Sequence, residues 1–139
     1  MKRVLIVDDS PAWRVFHKNN IEELFLEADI EDYVIDLAIS GREGYDELIQ
    51  NEANPYDLIV TDLQMEDDFT PKLAGEWFVE QVQTFDNYFN TKIIISSGMY
   101  NIKHVAEKYN TDYIPKRVAV ADINLYKETI ANALGIELQ

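Results

Sequence analysis

The chain has no cysteine, so neither a disulfide nor thiol chemistry is open to it. Basic residues are scarce: 12 Lys and Arg stand against 26 Asp and Glu, for a formal charge of −14 and a pI near 4.3. Phosphate backbones and anionic lipid are held by Lys and Arg, so this balance argues against nucleic acid and membrane surfaces as partners. Glycine and proline number only 5 and 4, and no linker, repeat or low-complexity tract interrupts the chain. Long apolar runs are also missing. Val4–Val7 behind Met1-Lys2-Arg3 stops at Asp8, too short for a signal-peptide core, and nothing approaches a membrane span. His17 and His104 lack metal-ligand spacing. These absences lead to the expectation of a cytoplasmic protein.

At 139 residues, 47% hydrophobic and 27% charged, the chain is long enough for one domain with a full core. Its grammar is repeated. Val4-Leu5-Ile6-Val7 ends on Asp8-Asp9, and Leu58-Ile59-Val60-Thr61 ends on Asp62. Ile93-Ile94-Ile95 ends on Ser96-Ser97, and Asp112 to Lys116 ends on a lysine. Continuous apolar runs suit strands buried on both faces of a parallel sheet. A further strand is predicted over Val34–Ala38.

Helical signals fall between the strands. Ser10-Pro11 reads as an N-cap and first helical residue, with Trp13, Phe16, Ile21, Leu24 and Phe25 recurring inward to Glu27. Ser40-Gly41-Arg42-Glu43 is a capping-box pattern that opens a second helix through Tyr45, Leu48 and Ile49. A long acidic loop with Glu66, Asp67, Asp68 and Pro71 runs from Leu63 to Gly75, before a helix carrying Trp77, Phe78, Val82 and Phe85. A fourth helix is predicted over Asn101–Tyr109, and a last one from Asp122 to Gly135 with Ile123, Tyr126, Ile130 and Leu134 inward. Strands alternating with helices predict a doubly wound parallel α/β sheet with helices on both faces. Trp13, Trp77 and Phe78 are read as core residues with no functional role.

In such a sheet the carboxyl ends of all strands lie on one edge, where ligands bind. Asp8, Asp9, Asp62, Ser97 and Lys116 would converge there. Clustered carboxylates call for a cation or a shared proton, and hard oxygen ligands with room for water favour Mg2+, with Mn2+ as a substitute. A carboxylate nucleophile, metal-holding carboxylates, a hydroxyl and an ammonium form the equipment for phosphoryl transfer to an aspartate.

VLIVDDS, DLIVTDLQM, KIIISSG and DYIPK, in that order on the strand ends, resemble the receiver domains of two-component response regulators over nearly the whole chain. The resemblance implies a flavodoxin-like fold of strand order 2-1-3-4-5. It implies that Asp62 is the phosphoacceptor and that Asp8, Asp9, Asp62 and the Gln64 carbonyl hold Mg2+. Ser97, rather than Ser96, would close on the phosphoryl group, with Lys116 pairing to it and Tyr113 swinging inward. The implied partners are a sensor histidine kinase or phosphotransfer protein, and a downstream protein or second copy on the fourth helix, fifth strand and fifth helix. Residues 1–139 are expected to form a single receiver domain with no output domain, a switch and not an enzyme beyond its own phosphorylation and dephosphorylation.

Three departures stand out. Arg117 follows Lys116 where the family has a proline after a cis bond, which leaves the Lys116–Arg117 bond open between cis and trans. Glu66 replaces the usual proline after Met65, and the loop to Gly75 is longer. The chain also stops after its last helix. They motivate an alternative, a degenerate receiver acting as a phosphorylation-independent adaptor. An Asp-nucleophile phosphatase is the third reading. Such enzymes place two aspartates one residue apart on a single strand, whereas Asp8 and Asp9 are adjacent and Asp62 stands alone.

Overall fold

The computed structural model describes residues 1–65 and 74–137. Glu66, Asp67, Asp68 and Pro71 of the acidic loop lie outside the described residues. The strands are β1 (Lys2–Val7), β2 (Tyr33–Ala38), β3 (Leu58–Thr61), β4 (Lys92–Ser97) and β5 (Asp112–Pro115). They form one 5-stranded parallel sheet of order β2-β1-β3-β4-β5, as expected.

The helices are α1 (Pro11–Glu27), α2 (Gly41–Gln50), α3 (Ala74–Thr84), α4 (Ile102–Tyr109), α5 (Lys116–Ala121) and α6 (Ile123–Leu134). One sheet face, built from Leu5, Val7, Ile59, Ile93 and Ile95, packs against α2, α3 and α4 through Leu48, Phe78, Val79, Val82 and Val105. The other face, built from Val4, Ile6, Leu58, Val60, Ile94 and Ile114, packs against α1 and α6 through Ile21, Leu24, Phe25, Tyr126 and Ile130. Each fully buried side chain of this size contributes about 1.5–3 kcal/mol relative to exposure. The middle strands are covered on both sides, which is why their sequences run apolar without alternation.

The caps are built largely as the sequence predicts. Ser10 Oγ accepts the Trp13 N–H at 3.3 Å, with Pro11 opening α1. Ser40 Oγ accepts the Glu43 N–H at 3.0 Å, while the Glu43 carboxylate reaches back to the N–H of Ile39, one residue before the cap. Asp122 Oδ1 accepts the Leu125 N–H at 3.1 Å, and Gly135 ends α6 with φ of 69°.

Two expectations need correction. The fifth strand stops at Pro115 and does not reach Lys116, which instead opens a six-residue helix, α5, with no counterpart among the predicted elements. The predicted fifth helix is therefore α6. Ile49 is 48% exposed and lies off the buried face of α2, whereas Leu48 is buried. The Lys116–Arg117 bond is trans, for no peptide bond among the described residues is cis. Without a proline at 117, Lys116 is free to take helical φ/ψ directly after the extended Pro115 (φ −61°, ψ 141°).

Candidate functional site

Parallel register sets out the site. Val7 pairs with Thr61, so Asp8 and Asp62 leave adjacent strands side by side, and the Asp62 N–H donates to the Val7 carbonyl at 3.0 Å. Thr61 pairs with Ile95 and Ser97 with Pro115, which brings Ser97 and Lys116 to the same edge. Asp62, Gln64, Ser97 and Lys116 line one cavity of about 840 Å³ together with Asp9, Met65, Gly98, Met99 and Tyr100. Asp8 lies beneath it, 1% exposed.

Lys116 is the centre of charge. Its Nζ lies 2.9 Å from Asp62 Oδ2 and 3.0 Å from Asp8 Oδ2. Burial disfavours its charge, but the Asp62 carboxylate, the hydrogen bond to it and the neighbouring Asp8 carboxylate outweigh that, so its pKa lies above the ordinary lysine value. Burial likewise raises the Asp8 carboxyl, with the Asp62 charge adding to the rise, against the Ser10 N–H and Lys116, which pull it down. Asp8 Oδ1 accepts the Ser10 N–H at 2.9 Å, and Asp62 Oδ1 accepts the Leu63 N–H at 2.7 Å.

One carboxylate oxygen from each of Asp8, Asp9 and Asp62 lies within 4.8 Å of the other two. Asp8 Oδ2 is buried and makes no aligned hydrogen bond, only the ion pair with Lys116. Three hard anionic donors, one of them lacking a hydrogen-bond donor of its own, fit a divalent cation with an oxygen-rich shell. Gln64 is exposed on the rim of the cavity, beside these oxygens' strand end.

Ser97 is buried at 1% and its Oγ accepts the Met99 N–H at 3.2 Å. Ser96 is turned to the other face. Its Oγ is buried without a partner and does not line the cavity, in keeping with the strand's alternation. Tyr113 is half-buried and packs against the core on the α4 side, outside the cavity lining.

Sequence reasoning missed two residues here. Trp13, read as core packing alone, places its ring centroid 4.9 Å from Lys116 Nζ. Arg14 donates from Nη1 to the Asp8 carbonyl at 2.8 Å. The available signal was position: α1 starts immediately after Asp8-Asp9, so its first turn must stand over the strand ends.

Behind Trp13 lies a buried aromatic cluster. Trp13 meets Phe16 at 4.9 Å and His17 at 5.6 Å, and His17 Nδ1 bonds the Tyr126 hydroxyl of α6 at 2.7 Å. Burial, with the Lys116 charge nearby, lowers the His17 pKa to about 3.

Solved structures share this arrangement of strands and helices. The chain is similar to the signal receiver domain of a DNA-binding response regulator from Colwellia psychrerythraea 34H, at 16% identity and TM-score 0.75 over 97% of this chain and 99% of that one. It is similar to a response regulator receiver protein from Burkholderia phymatum, at 18% identity and TM-score 0.71 over 99% and 98%. The chemotaxis response regulator CheY4 of Vibrio cholerae matches at 22% identity and TM-score 0.66, over 97% of each chain. No protein-family model and no curated protein matches the chain. The chain has the fold of the response-regulator receiver domains, the flavodoxin-like sheet expected from its sequence. No helix among the described residues is long and apolar enough to cross a membrane.

Proposed function

We propose that the protein is a receiver of a two-component or phosphorelay system, taking a phosphoryl group onto Asp62 and changing a protein-binding surface in response. The observation that carries this reading is the ion pair of Lys116 with Asp62 inside a cavity that also holds Asp9 and Ser97, above buried Asp8.

Asp8, Asp9, Asp62 and the Gln64 carbonyl would hold Mg2+, which when bound neutralises charge on the phosphoryl oxygens. An Asp62 carboxylate oxygen attacks phosphorus. The bond from phosphorus to the donor, a phosphohistidine nitrogen or an acetyl phosphate oxygen, breaks, and its electron pair leaves with the donor. Lys116 already stands against Asp62, so its ammonium is in place to pair with an oxygen of the arriving group. Ser97 Oγ, now accepting from Met99, has a hydroxyl proton to donate to another oxygen. The aspartyl phosphate adds negative charge and acceptor oxygens, and movement of Ser97 and Lys116 toward them biases α4, β5 and α6. Tyr113 on β5 would follow by turning inward. A sensor histidine kinase or phosphotransfer protein supplies the group, and a downstream protein or second copy reads the surface.

Intact mass after incubation with Mg2+ and acetyl phosphate tests the reading, beside Asp62→Asn. One added phosphoryl group on the parent and none on the variant is expected. No gain on the parent with acetyl phosphate or with a phosphohistidine donor, and no Mg2+ binding by titration, would overturn it in favour of an adaptor that works without phosphate.

A further inference from the structure

We propose that Trp13 is a positioning residue for Lys116, its indole face holding the ammonium over Asp62 and so setting the rate at which Asp62 takes a phosphoryl group. The inference rests on the receiver reading above. Lysine is a point charge on a flexible four-carbon stem, and its aim must come from its surroundings. The Lys116 ammonium has three hydrogens. It has two oxygen partners, a hydrogen bond to Asp62 Oδ2 at 2.9 Å and an ion pair with Asp8 Oδ2 at 3.0 Å. The Trp13 ring, 4.9 Å away, supplies a third, within the range over which an aromatic face attracts a cation.

The two carboxylates are poor anchors during the reaction, because both change partners when a cation and a phosphoryl group arrive. The indole face changes nothing. It is fixed from behind by Phe16 at 4.9 Å and by His17, which is tied to Tyr126 at 2.7 Å. Its backbone N–H is held by Ser10 Oγ at the head of α1, and Arg14 ties the same turn to the Asp8 carbonyl. At the other end of the pair, Lys116 is the first residue of α5, so its own backbone is set by a helix start. Trp13 thus keeps the ammonium in the cavity while its carboxylate partners are engaged elsewhere.

The test compares the parent with Trp13→Leu and Trp13→Phe, each as the full chain. The rate of phosphoryl uptake from acetyl phosphate is measured at saturating Mg2+, and the Lys116 ε-methylene resonances are assigned by Lys116→Arg. A half-desolvated cation–π contact predicts a loss of about fivefold to thirtyfold in rate for Trp13→Leu. Trp13→Phe keeps an aromatic face and is expected to recover most of that loss. Ring current should place the parent's Lys116 ε-methylene signals upfield, in the Leu variant at ordinary lysine positions, and in the Phe variant between. A Trp13→Leu rate within about twofold of the parent overturns this inference alone and leaves the receiver reading standing. Ordinary lysine shifts in the parent also overturn it, even where the Leu variant does not fold. A parent that takes up no phosphoryl group from either donor class overturns both.

Discussion

Gly75 lies flush against Asp62: a Cβ built on Gly75 would overlap the Asp62 carbonyl oxygen and stand 2.6 Å from the Leu63 Cα. The Gly75 N–H donates to the Leu63 carbonyl at 3.0 Å, which fastens the first turn of α3 to the strand end that carries Asp62. The obstruction is backbone, so no side chain can swing away to relieve it.

Gly75→Ala should therefore lose stability, by about 1–3 kcal/mol after the gain in helix propensity is set against the overlap. Gly98→Ala is the control, because a Cβ there meets nothing within 4 Å. Its effect should stay within about 0.5 kcal/mol. Urea denaturation of the two variants beside the parent checks this, and equal midpoints for both would sink the claim of a backbone clash.

Burial of His17 gives a pH dependence of known sign. Its pKa falls from 6.5 in the unfolded chain to about 3 in the fold, so below 6.5 the unfolded state binds the extra proton. The stability that neutral His17 contributes is complete above that value and is lost as pH falls toward about 3. Between pH 7 and pH 5 the loss is about 2 kcal/mol. Urea unfolding at both pH values should show that difference in the parent and not in His17→Gln, which keeps an acceptor for the Tyr126 hydroxyl. Parallel pH slopes in the two proteins would show that His17 does not carry the dependence.

Asp8, Asp62 and Ser97 were legible because each ends an apolar run, and parallel register carries the ends of such runs to one edge. Trp13 was not. Periodicity shows that it faces inward, but not that the group it meets comes from a segment 103 residues later. The segment from Lys116 to Ala121 carries no turn signal and is too short for a helical period, so α5 had no signature. The Tyr56 hydroxyl, bonded to Asp36 at 2.7 Å and to Glu47 at 3.2 Å, joins β2 and α2 to the segment before β3 by contacts that no local pattern encodes.

Proline disfavours the helical region for the residue before it, and Lys116 is helical. Arg117→Pro loses no intrahelical hydrogen bond, since the N–H of a second helical position has no partner within its helix. It should still move Lys116 out of α5 and cost about 1–3 kcal/mol. A crystal structure of the variant should show α5 beginning later and Lys116 displaced from Asp8. An unchanged helix start at Lys116, with stability equal to the parent's, would refute this.

Lys116 also competes for two of the carboxylates that would hold a cation. Its ammonium sits against Asp8 Oδ2 and Asp62 Oδ2, two of the three carboxylates in the cluster. A divalent ion binding there must share or displace it, and the positive charge repels the ion meanwhile. Lys116→Ala removes both obstacles. It leaves two buried carboxylates without their cation, so the variant should be less stable than the parent in chelator. Mg2+ should restore stability to the variant by more than it adds to the parent. Calorimetric titration should find Mg2+ bound more tightly by Lys116→Ala, by roughly tenfold or about 1.4 kcal/mol. Loss of phosphoryl uptake together with tighter metal binding would separate the two effects of this lysine, catalytic pairing and occupation of the metal ligands. Mg2+ binding equal to or weaker than the parent's would mean that Lys116 supports the cation's site and does not compete for it.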